Sequence, residues 1–195
     1  MNQTLRYYNE NALSFFQGTV SVDFGKTRNV FLKKLDPGAL ILDFGCGAGR
    51  DAKAFLEAGF TVEASDGSEE LCRMASSLIG IEVSHMLFGE LDAVSRYDGI
   101  WACASILHLP KNELRPVMGK MARALKPNGV IYTSFKHGTF EGIRNGRHFT
   151  DFSPETFREW VSGTSSLRIE DSWVSGDVRP GRENEKWLNL ILRRN

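Results

Sequence analysis

Short apolar runs alternate with amphipathic segments along most of the chain. Apolar runs at Leu40–Phe44 and Thr61–Ser65 have the length of buried strands. The segments Arg50–Ala58 and Ser68–Ser77, which follow them, carry apolar residues at helical spacing. This order predicts a βαβ unit.

The alternation of apolar runs with amphipathic segments continues through five predicted strands and then changes. Further predicted elements are strands Ile81–His85, Tyr97–Ala102 and Val130–Phe135 and helices Glu113–Leu125 and Ser153–Trp160. The last two apolar runs, Leu167–Ser175 and Lys186–Leu192, are joined by a loop without a helical pattern, so they predict an antiparallel hairpin. The fold class is therefore α/β: a doubly wound, mostly parallel sheet of the Rossmann-like kind, with seven strands, an antiparallel last strand, and helices on both faces.

The chain has the features of one domain over residues 1–195. It has no internal repeat, low-complexity tract or long Pro/Ser linker. Residues 1–35 have a partly helical pattern that ends at the turn signal Asp36-Pro37-Gly38, and we expect them to form a helical lid over a core of residues 36–195.

Composition narrows the class of partner and the compartment. Lys plus Arg equals Asp plus Glu at 24 each, so the chain lacks the basic excess typical of proteins that bind nucleic acid or anionic membranes. The three cysteines lie far apart and form no CxxC, which argues against a disulfide framework and a zinc knuckle. With no apolar signal segment either, we expect a cytoplasmic protein.

A glycine loop carries the strongest functional signal. The stretch LDFGCGAGRD at 42–51 follows a predicted strand and opens a predicted helix, where bare backbone and a helix N-terminus face a ligand. A dinucleotide fingerprint would need glycine at position 50, which is Arg50, and no G-K-[ST] follows for a phosphate loop. The spacing is D-x-G-x-G-x-G.

This loop resembles the first motif of the class I S-adenosylmethionine-dependent methyltransferases. VEASDGS at 62–68, YDGIWACASILHL at 97–109, LKPNGVIY at 125–132 and the terminal hairpin fit the same family in order and spacing. Within it, the stretches SFKHG, GRHFTDFS and DVRPGR look most like the small single-domain group of tellurite-resistance type.

The resemblance implies S-adenosyl-L-methionine as cofactor and assigns residues to it. Asp66 ends the second strand, where an acid accepts hydrogen bonds from both ribose hydroxyls, and the glycines let the methionine and ribose lie on the loop. The residues expected to contact the cofactor are Asp43, Gly45, Cys46, Gly47, Gly49, Asp66, Gly67, Glu90 and Cys103.

Several of these positions have a second interpretation. Asp43 either contacts the cofactor or only braces the loop by accepting backbone hydrogen bonds. The acid near the adenine is either Glu90 or Asp92. Cys46 and Cys103 have the features of small packing residues, and we assign them no chemistry.

Methyl transfer to a reactive sulfonium methyl depends chiefly on alignment of two reactants, and a base is optional. His108, in the loop after the fourth strand, is the first candidate base, and His137, just past the fifth strand, is the second; each has a structural or surface role as its alternative. Neither pairs with another His or Cys at metal-ligand spacing, so we expect no metal.

The methyl acceptor is expected to be a small molecule, and a local charge pattern favours an anion. The segment SFKHGTFEGIRNGRHF contains Lys136, Arg144 and Arg147 against the single acid Glu141, and its glycines suggest a mobile flap. Arg179 and Arg182, in the loop of the terminal hairpin, are predicted to face the same opening. The alternative is a solvated charged loop.

Three functions stay open on the sequence. The first is a methyltransferase acting on a small molecule, the second a binding protein that kept the fold without catalysis, and the third a nucleotide-dependent oxidoreductase, which Arg50 disfavours. Oligomeric state and the identity of the acceptor are not encoded in any motif found here.

Overall fold

The computed structural model describes residues 3–163, 166–182 and 184–195. The helices are α1 (Gln3–Glu10), α2 (Ala12–Thr19), α3 (Gly25–Leu32), α4 (Arg50–Glu57), α5 (Glu69–Ile79), α6 (Lys111–Ala124) and α7 (Pro154–Val161). The strands are β1 (Leu40–Phe44), β2 (Thr61–Asp66), β3 (Val83–His85), β4 (Tyr97–Ala102), β5 (Leu125–Lys136), β6 (Glu141–Arg144), β7 (Arg147–Thr150), β8 (Leu167–Gly176) and β9 (Lys186–Arg194).

Seven strands form one sheet in the order β3-β2-β1-β4-β5-β9-β8. The first five in this order run parallel, while β9 is antiparallel to β5 and to β8. The strand order reverses between β1 and β4, the topological switch point where doubly wound sheets bind ligands beyond their carboxyl ends. The predicted fold class, including the reversed terminal hairpin, is confirmed.

Both faces of the sheet are covered, because alternate residues of each central strand point to opposite sides. On one face Leu42, Phe44 and Ile100 pack with α6 and α7 residues such as Met118 and Phe157. The other face is built around Trp101, whose ring stacks on Tyr132 with centroids 4.0 Å apart. The near-continuous apolar character of these strands follows from this two-sided burial.

Two helices begin with a serine N-cap. The side chain of Ser68 accepts a hydrogen bond from the Leu71 backbone N–H at 3.3 Å, and that of Ser153 accepts one from Thr156 at 3.2 Å. Pro154 occupies the first position of α7, where the missing N–H of proline costs no hydrogen bond. Helix α6 begins two residues earlier than predicted, so Pro116 lies inside it rather than in its first turn.

The N-terminal segment divides between two roles. Helices α1 and α2 border the cavity described below, whereas Phe31 of α3 is fully buried against Phe55 and Trp101. Part of the predicted lid is therefore core. Residues 1 and 2 of that predicted segment lie outside the described residues.

The segment predicted as a mobile glycine-rich flap contains a small antiparallel hairpin, β6–β7. Its turn is Asn145-Gly146, and both residues have positive φ, 51° and 76°. This is the backbone of a type I′ turn, which Asn-Gly favours because both residues tolerate the left-handed region. The Asn-Gly pair was the sequence signal for this hairpin.

No helix within the described part of the chain combines the length and apolar character needed to cross a membrane.

Candidate active site

One cavity of about 430 Å³ opens at the carboxyl ends of β1, β2 and β4. Two groups among its lining residues differ in chemistry, and further wall residues come from the end of β5 and from the terminal hairpin, among them Lys136 and Arg179. The loop end is formed by the glycine loop and the turns after β2 and β3, whose wall residues include Asp43, Gly45, Cys46, Gly47, Asp66, Gly67 and Glu90. The hairpin end is formed by α1, the turn after β4, and β7, whose wall residues include Tyr8, His108, Arg147 and Phe149.

The glycines of the loop are required by their own backbone and by close neighbours in the protein. Gly45, Gly47 and Gly49 have φ of +83°, +55° and +79°, a region that L side chains rarely adopt. A Cβ on Gly45 would lie 2.5 Å from Cβ of Ser105, and one on Gly47 would lie 3.0 Å from the Phe15 ring of α2. The loop is therefore packed tightly against neighbouring side chains, and its bare backbone also lines the cavity.

The position of Gly49 differs from the prediction that this residue contacts the cofactor. It precedes α4 as its N-cap and is not among the wall residues of the cavity. A Cβ there would meet Ile79 and Ala75 of α5 at 3.0 and 3.1 Å. Its glycine serves the close approach of α5 to the loop, and the predicted cofactor contact is not supported.

Asp66 lies at the end of β2 and faces the cavity. One carboxylate oxygen accepts the backbone N–H of Gly47 at 2.9 Å and the other accepts that of Ser68, also at 2.9 Å. Burial raises the pKa of Asp66 above its ordinary value, and these backbone donors partly offset the shift. Each carboxylate oxygen has two acceptor positions, so Asp66 can hold the loop and still accept hydrogen bonds from a ligand.

Asp43 has the bracing role that was one of the two roles left open by the sequence. It is only 2% exposed, and its carboxylate accepts the Ala52 backbone N–H at 3.1 Å, which ties β1 to the first turn of α4. It also contributes to the cavity wall. Burial, reinforced by the nearby Asp51, raises the pKa of Asp43 well above its ordinary range. The bracing role is observed directly.

The remaining predicted residues of the loop end also lie in the wall. Gly67 leaves room for Leu5 of α1, because a Cβ there would come within 2.8 Å of that side chain. Glu90 lines the cavity and accepts the Leu87 backbone N–H at 2.7 Å, whereas Asp92 is not a wall residue. Of the two acids after β3, the structure therefore brings only Glu90 to the cavity.

The two wall cysteines are neutral thiols. Burial raises the pKa of Cys46 well above its ordinary range and that of Cys103 to about 12. A thiolate nucleophile would need a depressed pKa. Both cysteines therefore act as small side chains that shape the wall, as the sequence suggested.

His108 occupies the hairpin end with both ring nitrogens engaged. Nδ1 lies 2.7 Å from the backbone carbonyl of His148, and Nε2 lies 2.8 Å from the hydroxyl of Tyr8. Burial lowers the pKa of His108 to about 4, so the ring is neutral at pH 7. A carbonyl can only accept, so Nδ1 carries the ring proton and Nε2 accepts the proton of Tyr8.

The second candidate base is placed elsewhere. His137 follows β5 but is exposed and is not among the wall residues of the cavity, and its backbone N–H donates to the Lys186 carbonyl. The chain turns back at Gly138 toward the β6–β7 hairpin, which leaves this histidine on the outside. The predicted catalytic role of His137 is therefore corrected to a surface position.

Arg147 differs from the other cations that line the cavity. Arg50 pairs with Asp51, while Lys136, Arg179 and Arg182 form ion pairs with Asp177 or Glu185. Within residues 3–163, 166–182 and 184–195, Arg147 has no ion pair with a carboxylate, and its buried Nε has no hydrogen-bond partner. Its guanidinium lies 4.4 Å from the Tyr7 ring centroid and 5.2 Å from that of Phe149, and Nη1 is 3.4 Å from the Tyr8 hydroxyl.

Arg144, predicted to act with Arg147, lies outside the cavity wall. It forms a 2.8 Å ion pair with the buried Asp151 and lies over the Phe140 ring. The two arginines flank the turn of one hairpin, yet only one faces the cavity. Sequence reasoning could not separate them, because their division depends on where Asp151 folds back against β6.

No group of three or more His, Cys, Asp or Glu side chains within the described ranges is placed to hold a metal ion.

The sequence of the chain is similar to the sequences of known methyltransferases. Residues 41–129 match the family model of a methyltransferase domain. The chain is 34% identical over 105 residues to methyltransferase GfsG of Streptomyces halstedii, covering 48% of this chain and 36% of that protein. It is 25% identical over 174 residues to a ubiquinone biosynthesis O-methyltransferase of Xanthomonas campestris, covering 78% and 70%.

The segment 41–129, which contains the glycine loop and Asp66, matches a methyltransferase domain, and S-adenosylmethionine is the cofactor that this similarity indicates.

Two solved structures show the same fold. The 1,6-didemethyltoxoflavin-N1-methyltransferase of Burkholderia thailandensis, with S-adenosylhomocysteine bound, superposes with a TM-score of 0.76 at 20% identity and covers 98% of this chain and 85% of that one. A TehB-like methyltransferase of Corynebacterium glutamicum superposes at 0.74 with 19% identity and covers 97% and 100%. At these identities the likeness is one of fold.

The loop end of this methyltransferase fits its cofactor, S-adenosyl-L-methionine. Bare backbone at Gly45 and Gly47 lines the wall, and Asp66 offers carboxylate oxygens at the end of β2. The cavity volume of about 430 Å³ lies in the range of small-molecule sites. When bound, the cofactor supplies a methyl group already activated on a sulfonium, so the protein need not generate an electrophile.

Proposed function

We propose that this methyltransferase binds S-adenosylmethionine at the loop end of its cavity and methylates a small molecule held at the hairpin end. The observation that carries the proposal is the division of one cavity into two chemically different ends. Asp66 and bare backbone suit a nucleoside, while Tyr8, His108 and Arg147 are available to a second reactant. The relatives named for ubiquinone biosynthesis and for didemethyltoxoflavin act, by those names, on small molecules.

On the cofactor side, Asp66 accepts the ribose hydroxyls while its bonds to Gly47 and Ser68 keep the loop in place. Glu90, which lines the cavity beyond β3, is the acid on the adenine side. Gly45, Gly47, Cys46, Gly67 and Cys103 contribute surface rather than charge. Asp43 adds a bracing contact to α4.

The rate advantage comes mainly from holding two reactants in line. Orientation supplies about 7–11 kcal/mol, whereas a general base adds roughly 10²–10⁴-fold in rate. The α1 and α2 helices, which border the cavity, assist by excluding water; their lid role is part of this proposal. His108 is the group of the site that finally takes up the acceptor's proton, since its ring is neutral at pH 7 and lies at the hairpin end.

The acceptor is a small anion. Arg147 supports this, because its guanidinium lines the cavity and every other cavity-lining Arg or Lys is already paired with a carboxylate. Guanidinium groups bind carboxylates through paired hydrogen bonds, which suits a small organic acid. A cytoplasmic location and the tellurite-resistance-type grouping stay predictions, and neither identifies the acceptor.

The first experiment identifies what the purified protein binds. Mass spectrometry of the small molecule released on denaturation is expected to show S-adenosylmethionine or S-adenosylhomocysteine. Both should raise the melting temperature, and NAD should not. A shift with NAD alone would favour the oxidoreductase function.

The second experiment measures turnover. Labelled methyl transfer is followed with a panel of small carboxylic acids and with neutral counterparts of the same shape, such as benzamides for benzoates. Turnover restricted to acids supports the proposal. Cofactor binding with no transfer to any member of a broad panel would instead favour a binding protein without catalysis.

A further inference from the structure

Tyr8, rather than His108, is the group of the hairpin end that can still accept a hydrogen bond from a ligand in the cavity. Nε2 of His108 already accepts the Tyr8 hydroxyl at 2.8 Å, and Nδ1 is bonded to the His148 carbonyl. The imidazole therefore has no unused nitrogen for a substrate. The Tyr8 oxygen donates its only proton to Nε2 and accepts a hydrogen bond from Arg147 Nη1 at 3.4 Å, which leaves one lone pair that can accept another proton.

We propose that Tyr8 is a catalytic residue that accepts the acceptor's proton on its phenolic oxygen while passing its own proton to Nε2 of His108, and that an anion on Arg147 favours this transfer. The inference rests on the proposed function and names how its hairpin end works. Because Tyr8 belongs to α1, the N-terminal helix supplies a reacting group as well as cover.

The proton step balances within these residues. The O–H bond of the acceptor breaks as a bond forms to the Tyr8 oxygen, and the original Tyr8 O–H bond breaks as one forms to Nε2. The acceptor oxygen keeps the electron pair with which it takes the methyl group. His108 ends as an imidazolium that donates from Nδ1 to the His148 carbonyl, and it later returns the proton to water.

Arg147 sets the conditions for this transfer. Its Nη1 lies 3.4 Å from the Tyr8 oxygen, so its positive charge opposes the formation of an imidazolium one hydrogen bond further on. The titratable groups facing the imidazole are Tyr8 from α1 and Arg147 and His148 from β7, with Phe149 packed at 4.9 Å. None of these groups is a carboxylate, and Asp66, which acts on Tyr8 from the loop end, is not among the groups that act on the imidazole. A carboxylate brought to Arg147 by the acceptor would therefore supply the missing negative charge.

Burial and Arg147 both lower the pKa of His108 in the unliganded protein, which agrees with this arrangement. Neutralising a charge at this range in a partly buried site changes a pKa by roughly one unit. The acceptor would thus strengthen the base that deprotonates it. A neutral analogue of the same shape would not.

The test that needs no turnover is an NMR titration of His108 in the complex with S-adenosylhomocysteine. Saturating benzoate is expected to raise the His108 pKa by at least half a unit, about threefold in proton affinity, and benzamide to leave it unchanged. Arg147→Gln should raise the pKa without benzoate and abolish the response. Arg144→Gln, outside the wall, should keep the response. A benzoate response that is absent, or that survives Arg147→Gln, overturns the coupling.

The second test is methyl transfer to protocatechuate, a benzoate with two adjacent hydroxyl groups. Tyr8→Phe keeps the ring packing and is expected to lower kcat at least 100-fold with S-adenosylhomocysteine affinity unchanged. The matched control is Tyr7→Phe, which removes a hydroxyl from the same helix outside the cavity wall and should keep at least a third of the rate. A Tyr8→Phe variant that keeps a third of the wild-type rate overturns the catalytic role.

Failure of the proposed function would look different. If the wild-type protein methylates no member of the panel, methyl transfer itself is in question, while the titration still decides the Tyr8–His108–Arg147 coupling. An ¹⁵N spectrum in which Nε2, rather than Nδ1, carries the ring proton would overturn the relay regardless of turnover.

Discussion

The two ends of the cavity are built in opposite ways. At the loop end the polar groups are held by nearby backbone: Asp66 accepts from Gly47 and Ser68, and Glu90 accepts from Leu87. At the hairpin end Tyr8 contacts His108, 100 positions away, and Arg147, 139 positions away. The loop-end hydrogen bonds just named span at most 19 positions of the chain, whereas those of Tyr8 span at least 100.

This difference separates cofactor binding from acceptor binding. A cofactor used by many enzymes can be held by a local motif, whereas an acceptor site assembled from α1, the turn after β4 and β7 can change without disturbing the loop. The arginines of the β6–β7 hairpin repeat the contrast on a smaller scale. Arg144 is paired with Asp151, and Arg147 has its charge available to a ligand. The following predictions test these contrasts.

The largest expected effect is on the loop itself. Gly45→Ala places a Cβ 2.5 Å from Ser105 at a φ of +83°, so it combines overpacking with backbone strain. We expect a loss of about 2–5 kcal/mol in the free energy of unfolding, measured by denaturant titration. Gly59→Ala is the matched control, because φ is +85° there and nothing lies within 4 Å. It should lose only about 1–2 kcal/mol, and an equal loss in both would mean that the loop is not tightly packed.

The next largest effect is expected at Asp66, the carboxylate proposed to bind the cofactor. Asp66→Ala is expected to weaken S-adenosylhomocysteine binding by about 30- to 1000-fold, or roughly 2–4 kcal/mol, in calorimetric titrations. Asp43→Asn keeps an acceptor for the Ala52 N–H and should stay within tenfold of wild type. Unchanged affinity in a folded Asp66→Ala protein would remove the ribose assignment.

The buried His108 of the hairpin end is expected to make the free energy of unfolding depend on pH. The folded pKa of His108, about 4, is below its ordinary value of 6.5, so the unfolded chain binds more protons between these values. The contribution of neutral His108 is present above pH 6.5 and is lost as pH falls toward 4, by about 2–3 kcal/mol. His108→Gln should flatten this part of the curve of unfolding free energy against pH. A slope that persists in the variant would assign it to other groups.

The smallest effect separates the two arginines. Arg147→Gln is expected to weaken benzoate binding to the S-adenosylhomocysteine complex at least tenfold and to reduce its salt dependence, with cofactor affinity unchanged. Arg144→Gln should leave benzoate affinity intact and instead lower stability by about 1–3 kcal/mol, because the buried Asp151 loses its partner. Equal effects on benzoate binding would contradict the division of the hairpin.

The elements that the sequence predicted well are those with strong local signals. Strands β1 and β4 begin and end at the predicted residues, and Ser68 and Ser153 cap their helices, because apolar period and capping chemistry act over a few residues. The β6–β7 hairpin was missed although Asn145-Gly146 signalled it, since the surrounding glycines and charges obscured its alternation. His137 was misplaced because a strand end gives no information on which way the following chain turns.

By itself the sequence determined the order of strands and helices, the glycine loop with Asp66 beyond it, and hence the class of cofactor. These depend on backbone preferences and on contacts between neighbours in the chain. Only the tertiary structure decided that Gly49 serves α5, that Arg147 rather than Arg144 faces the cavity, and that Tyr8 covers the free nitrogen of His108. Each of these depends on groups that are far apart in sequence, and the partner that a side chain finds there is set by how the whole chain packs.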